Sequence, residues 1–198
     1  MYSQGNEEAH ILKYFKNKTG GRLLDCGAYD GKTFSNTLRL IEMGWSGVLI
    51  EPSPAPFKAM AAIHKGNPKV SLVNAAVTPV SGPVTFYDTC GDAVSTTELT
   101  HKQRWENGST IKFNQIQVHG ITAKEVLDTH GTDYDFVNID TESTNIATLR
   151  RFIKAGLKFE LLCIEHDNKH PEIVAMFPGC QPVFQNAENL IIYYKGWK

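Results

Sequence analysis

Short apolar runs alternate along the chain with stretches whose apolar positions recur at helical spacing. The runs at 22–26, 48–51 and 70–77 are mostly apolar and are bounded by turn residues. Runs of that length read as strands buried on both faces. Between them, 32–43 and 57–64 read as helices, the first closed by Gly44 and the second by the turn Gly66-Asn67-Pro68. This β-α-β-α-β order predicts a parallel sheet covered by helices. Ahead of it, 7–16 carries Glu7 and Glu8 early and Lys13 and Lys16 late, the charge order a helix dipole favours, and Gly20-Gly21 supplies the stop. Later strands are expected at 135–140 and 159–165, and helices at 122–129, 145–155 and 171–177. The pair 183–185 and 190–194, joined by the turn 186–189, reads as the antiparallel end of the sheet. Two β segments, 82–88 and 112–120, flank a polar stretch, 89–110, that shows no clear periodicity. Connections of that length are usually functional or mobile.

Bulk properties narrow the class without changing this picture. With 198 residues, 41% hydrophobic content and a formal net charge of −1, the chain is sized for one domain with a full core. That balance carries no electrostatic footprint for nucleic acid, and no apolar run approaches the roughly 20 residues of a membrane span. The start, Met1-Tyr2-Ser3-Gln4-Gly5-Asn6-Glu7-Glu8, has neither the basic nor the apolar region of a signal peptide. Cys26, Cys90, Cys163 and Cys180 form no C-x-x-C pair, so a structural zinc site is not expected. A reducing, cytoplasmic setting is the expectation.

Candidate chemistry sits at the carboxyl ends of the strands, where open α/β sheets bind ligands. Asp25-Cys26-Gly27-Ala28-Tyr29-Asp30-Gly31 opens a glycine turn, and Val48-Leu49-Ile50-Glu51-Pro52 ends in a lone carboxylate. Glu51 suits a ribose hydroxyl pair. The spacing Asp25-x-Gly27-x-x-x-Gly31 is not G-x-G-x-x-G, so the pyrophosphate cradle of a dinucleotide site is missing. An acid before the turn suits a ligand without phosphates and with positive charge, and S-adenosylmethionine fits. The expected cofactor contacts are Asp25, Gly27, Ala28, Tyr29 and Gly31 from the first turn and Glu51 and Pro52 from the second. Ala75 and Ala76, small enough to let an adenine lie flat, and Asp140 complete the set. Asp25 is expected to hold an ammonium, and the glycines to allow close approach and a turn.

The segments D-C-G-A-Y-D-G, V-L-I-E-P-S-P, N-A-A-V and F-V-N-I-D-T-E-S, in this order and spacing, resemble the FkbM-type methyltransferase family over roughly 23–165. The resemblance implies an α/β fold with a Rossmann-like, doubly wound, mostly parallel seven-stranded sheet ending in an antiparallel strand. It also implies S-adenosylmethionine as cofactor and, usually, O-methylation. The family motif continues I-D-x-E-G, whereas Ser143 stands in the glycine place here. A serine there is expected to cap the helix starting near Asn145.

The expected organisation is one methyltransferase domain, 1–198, with an N-terminal helix in 1–20 and a β-hairpin insertion, 82–123, carrying an acceptor loop at 89–110. The acceptor is a small molecule or glycan hydroxyl; a nucleic-acid or membrane partner is not expected. His166, which follows the fifth strand, is the first candidate base, with Glu142 and Asp140 beside it. His101, Arg104 and Trp105 are candidate acceptor contacts, Trp105 by stacking and Arg104 by charge. Asp140, Glu165 and Asp167 are open to a second reading as oxygen ligands of Mg²⁺. Two rival functions remain at this stage: a nucleotide-binding oxidoreductase of the NAD type, which the glycine spacing opposes, and a non-catalytic cofactor-binding domain.

Overall fold

The computed structural model describes residues 1–197. In chain order the elements are α1 (Glu7–Tyr14), β1 (Arg22–Cys26), α2 (Leu38–Glu42), β2 (Ser46–Ile50), α3 (Pro54–Ile63), β3 (Val70–Val73) and β4 (Ala76–Val77). They continue with β5 (Gly82–Asp88), α4 (Leu99–Gly108), β6 (Asn114–Ile121), α5 (Ala123–His130), β7 (Asp133–Ile139) and α6 (Asn145–Lys154). The last four are β8 (Lys158–Glu165), α7 (His170–Ala175), β9 (Gln181–Gln185) and β10 (Asn189–Tyr193).

Seven strands form one sheet in the order β3-β2-β1-β7-β8-β10-β9. Pairing is parallel from β3 through β8, and β10 runs antiparallel to both β8 and β9. Successive side chains on a strand point to opposite faces, and both faces here are apolar. Leu24, Val48, Val137 and Leu162 pack under α5 and α6 through Val126, Leu149 and Phe152. Leu23, Leu49, Phe136 and Leu161 pack on the other face with Ile11, Leu40, Trp45 and Met60. Helices therefore cover both faces, as the buried strand runs require. The chain moves outward from β1 to β2 and β3, then returns to the other side of β1 as β7. The carboxyl ends of β1 and β7 thus form the topological switch point, where a crevice opens. A second, three-stranded sheet, β4-β6-β5, stands beside the main one. No helix among the described residues is long and apolar enough to cross a membrane.

Several boundaries differ from the sequence expectation, each for a local reason. The expected helix at 32–43 shortens to α2. The Asp30 carboxylate accepts from the N–H groups of Lys32 and Thr33 at 2.8 and 2.6 Å, and Ser35 Oγ accepts from Thr37 and Leu38. These side chains compete for the N–H groups a helix would use. α3 starts earlier than expected because a proline in the first turn gives up an N–H that has no helical partner there. The run at 70–77 breaks after Val73: Asn74 Nδ2 donates to the carbonyls of Glu51 and Pro52, and Ala76 and Val77 pair with β6 instead of β2. The polar stretch 89–110 holds α4, a helix that buries only His101.

Candidate active site

A pocket of about 400 Å³ lies at the switch point. It is walled by the turns after β1, β2 and β7, by Glu165 at the end of β8, by Ala75 and Ala76, and by the segment before α4. The turn after β1 is fixed first. Gly27 and Ala28 both donate their N–H groups to the Ile50 carbonyl, at 2.9 and 3.0 Å. Gly27 has φ +88°, and a Cβ on it would lie 1.7 Å from the Asp140 carbonyl oxygen. Only glycine lets the β1 and β7 turns approach so closely. The expected close approach is therefore made by the chain's own backbone.

Glu51 closes one end of the pocket. Its Oε2 accepts from Tyr29 N at 2.9 Å and its Oε1 from Ser53 N at 2.7 Å. Each oxygen keeps a second lone pair. Burial pushes the carboxyl up to about 7 against the pull of those two N–H groups. Ala75, Ala76, Val77 and Phe86 line the pocket as well, and Ala75 and Ala76 are buried. Such an end can hold a flat ring next to a diol. Ala28, Tyr29 and Pro52 border it too.

Two expected cofactor contacts are corrected. Gly31 does not border the pocket; its missing side chain makes room for Met60 and His64. Asp25 borders it, but at 2% exposure its carboxylate is turned into the fold: Oδ2 accepts from Thr37 Oγ1 at 2.6 Å and Oδ1 from Asn138 Nδ2 at 2.9 Å, which ties β1 to β7 and to the start of α2.

The other end is crowded with acid. Asp140, Glu142 and Glu165 each bring a carboxylate oxygen within 4.8 Å of the others. Asn145 Nδ2 donates to Glu165 Oε2 at 2.6 Å and to Asp167 Oδ2 at 3.2 Å, while Asn145 Oδ1 accepts from Thr141 N at 2.6 Å. Burial, followed by the charges of Asp140, Glu165 and Asp167, pushes Glu142 up to about 9, with Arg104 opposing. Burial first, then the Glu165 charge, raises Asp140 well above the carboxylate range, and burial and Asp167 raise Glu165. Of the expected oxygen ligands, Asp140 and Glu165 come together. Asp167 does not line the pocket, and Glu142 takes its place in the group.

Glu142 and Ser143 both lie in the left-handed region, with φ of 48° and 71°. Glycine adopts that conformation without cost, so a serine at 143 bears strain that a glycine would not. Ser143 does not cap α6. Its Oγ lies 2.6 Å from His101 Nδ1. Arg104 NH2 is 3.2 Å from the same nitrogen, and an arginine N–H only donates, so Nδ1 accepts and the ring proton belongs on Nε2. His101 Nε2 sits 3.5 Å from Glu142 Oε2, buried and without a hydrogen-bond partner. Burial first, and then Arg104, lower the pKa of His101; the Val94 carbonyl, near the ring but outside hydrogen-bond geometry, and Asp167 pull the other way.

The expected acceptor contacts therefore separate. Trp105 lines the pocket; His101 and Arg104 stand behind Glu142. His166, the expected base, is corrected outright. It is 3% exposed and does not border the pocket. Its Nδ1 accepts from Asn168 N at 3.0 Å and its Nε2 donates to the Asn186 carbonyl at 3.1 Å, so both nitrogens are spent on backbone.

Other lining residues carried no sequence signal. Gln4 reaches the pocket because Ser3 bridges to Phe34, and Gln4 Nε2 donates to Glu188 Oε1 at 3.4 Å. Thr96 pairs with Tyr87 and donates through Oγ1 to the Glu142 carbonyl at 2.8 Å. The Tyr29 hydroxyl donates to the Gly91 carbonyl. The insertion is thus fastened to both ends of the site.

Residues 25–184 match the family described as the methyltransferase FkbM domain. No curated protein sequence matches the chain. Among solved structures, the SAH-bound Podospora anserina methyltransferase PaMTH1 is similar with a TM-score of 0.56 at 12% identity, over 98% of this chain and 80% of that one. A precorrin-6y C5,15-methyltransferase from Geobacter metallireducens GS-15 gives 0.51 at 14% identity, over 96% and 87%. An rRNA methylase from Streptococcus thermophilus gives 0.52 at 6% identity, over 98% and 98%. Identities this low speak to a shared fold alone.

Proposed function

Because this chain belongs to the methyltransferase FkbM domain family, we propose that the pocket holds S-adenosylmethionine and that the protein moves its methyl group to a hydroxyl oxygen of a small molecule or glycan. Glu51 carries this reading: it is a carboxylate pinned by two backbone N–H groups, with a lone pair left on each oxygen for a ribose diol. Ala75 and Ala76 beside it suit an adenine face, and the missing phosphate cradle argues against a dinucleotide. When bound, the cofactor supplies an electrophilic methyl group on a sulfonium whose sulfur leaves as a thioether.

The chain's own part is to orient the acceptor, exclude water and take one proton. In this reading Glu142 receives the hydroxyl proton as the new C–O bond forms. Its pKa of about 9 in the empty pocket keeps it protonated near neutrality, and the positive charge of the bound cofactor would lower it and free it to act as a base. His101 is a positioning residue that stands behind Glu142, its Nε2 3.5 Å from Oε2. The segment 89–110 supplies the acceptor wall through Asp92, Val94, Thr96 and Trp105, and 1–198 acts as one domain. Four unpaired cysteines suit a cytoplasmic setting. RNA, the substrate named for one structural neighbour, is disfavoured, because acidic walls repel phosphates.

The grouping of Asp140, Glu142 and Glu165 favours one second reading, a Mg²⁺ ion that acidifies the acceptor hydroxyl. Calorimetry with S-adenosylhomocysteine and methyl transfer from labelled S-adenosylmethionine test the main reading. Micromolar binding with transfer that survives a chelator supports it. No heat from the folded protein with either cofactor form contradicts it, and transfer abolished by chelator and restored by Mg²⁺ selects the second.

A further inference from the structure

The pocket's charge is one-sided. Every charged side chain lining it is a carboxylate, and no Lys, Arg or His among the described residues lines it. The chain as a whole is balanced, with 20 Lys and Arg against 21 Asp and Glu, so the asymmetry belongs to the site. Asp25 and Glu51 are each answered by two hydrogen-bond donors. Asp140 and Glu142 are not answered to that degree, and Glu142 and Glu165 face the same space as Asp140 within 4.8 Å. The cofactor adds a sulfonium and an ammonium and removes one charge with its own carboxylate, a net charge of about +1 against this whole wall.

A second observation points the same way. His101 is 3% exposed, and its Nε2 is aimed at Glu142 Oε2 from behind with no hydrogen bond made. Buried polar atoms are nearly always satisfied, so an orphan in this position marks a site that is completed when a ligand fixes Glu142. Trp105, whose ring centroid is 6.2 Å from that of His101, lines the pocket as well. Carboxylates beside an indole face form a receptor for an organic cation.

We infer that the acceptor is a cation, a hydroxyl-bearing amine whose ammonium sits against Glu142 and Glu165 and beside Trp105. The inference rests on the methyl-transfer reading and narrows its substrate class. It excludes phosphorylated, carboxylated and nucleic-acid acceptors.

The test is calorimetry on the full chain saturated with S-adenosylhomocysteine, using matched probes: ethanolamine, ethylene glycol and glycolate, then glucosamine, glucose and glucose 6-phosphate. The expected result is an amine that binds about tenfold more tightly than its neutral twin, with the anion weakest. Glu142→Gln should shrink the amine's advantage while S-adenosylhomocysteine still binds. Equal binding of amine and neutral twin, preference for the anion, or no amine binding at all overturns the inference while leaving the cofactor reading intact. MgCl₂ titrated alone is the control, and saturable Mg²⁺ uptake without any amine preference also overturns it. Failure of S-adenosylhomocysteine to bind removes both.

Discussion

The two ends of the pocket use the same functional group in opposite ways. At the Glu51 end a single carboxylate is met by two backbone N–H groups that the strand-end turns provide. At the Glu142 end, carboxyls crowd within 4.8 Å of one another, with Asn145 supplying one amide donor and His101 standing just out of hydrogen-bond range. The first end is pre-paired and is complete before a ligand arrives. The second is left short of positive charge, and that deficit is what a reacting group or a cation can use. Binding affinity should therefore be concentrated at the first end and chemistry at the second.

The largest expected effect separates the two ends by kind. Glu142→Gln removes the base and should lower turnover by about 10²–10⁴-fold, the usual contribution of general-base catalysis. S-adenosylhomocysteine affinity should stay within about threefold, well under the 1.4 kcal/mol of a tenfold change. Steady-state kinetics and calorimetry on one preparation check both halves. The mirror variant is Glu51→Ala. Losing two hydrogen bonds to a charged group should weaken S-adenosylhomocysteine by about 100-fold. If the two variants gave the same pattern, the division between the ends would be wrong.

Stability against pH sharpens the same contrast. Both carboxyls are raised by burial, Glu51 to about 7 and Glu142 to about 9. A carboxyl whose pKa is raised in the fold stabilises the protein below its unfolded pKa, and that contribution is lost as pH climbs through the folded value. The ligand-free protein should melt progressively lower from about pH 5 to pH 9. The Glu51 part of the loss should be finished near pH 7 and the Glu142 part should continue to about pH 9. In Glu142→Gln the upper part of the decline should flatten. Thermal unfolding across this range checks it; a melting temperature that rises between pH 7 and 9 contradicts it.

Legibility from sequence divides along the same line. The Glu51 end rests on local rules: an apolar run, its terminal acid and a glycine turn. The central strands and Glu51 are legible that way, whereas the switch point needs the strand order. The Glu142 end rests on contacts between distant segments. Ser143 meets His101 across 42 residues, and α4 was hidden because a polar helix that buries only His101 has almost no apolar periodicity. His166 misled for a related reason. Its position after β8 is right for a base, but the β9–β10 turn covers it through the Asn186 carbonyl, and nothing near His166 in sequence announces that cover.

The smallest effect tests how the acidic end is held. Ser143→Gly relieves a left-handed serine at φ 71°, a cost of about 1 kcal/mol, and gives back a similar amount in backbone entropy. Stability should change by less than about 1 kcal/mol. Losing the hydroxyl that pins His101 should nevertheless move the pH dependence of turnover to higher pH. An unchanged pH profile would make the Ser143–His101 contact structural only.

The most direct measurement is a crystal structure of the protein with S-adenosylhomocysteine. The account predicts both ribose hydroxyls on the Glu51 carboxylate, the adenine against Ala75 and Ala76, and the sulfur facing Glu142. A ligand bound with its ribose away from Glu51, or with its sulfur turned from Asp140 and Glu142, would contradict it.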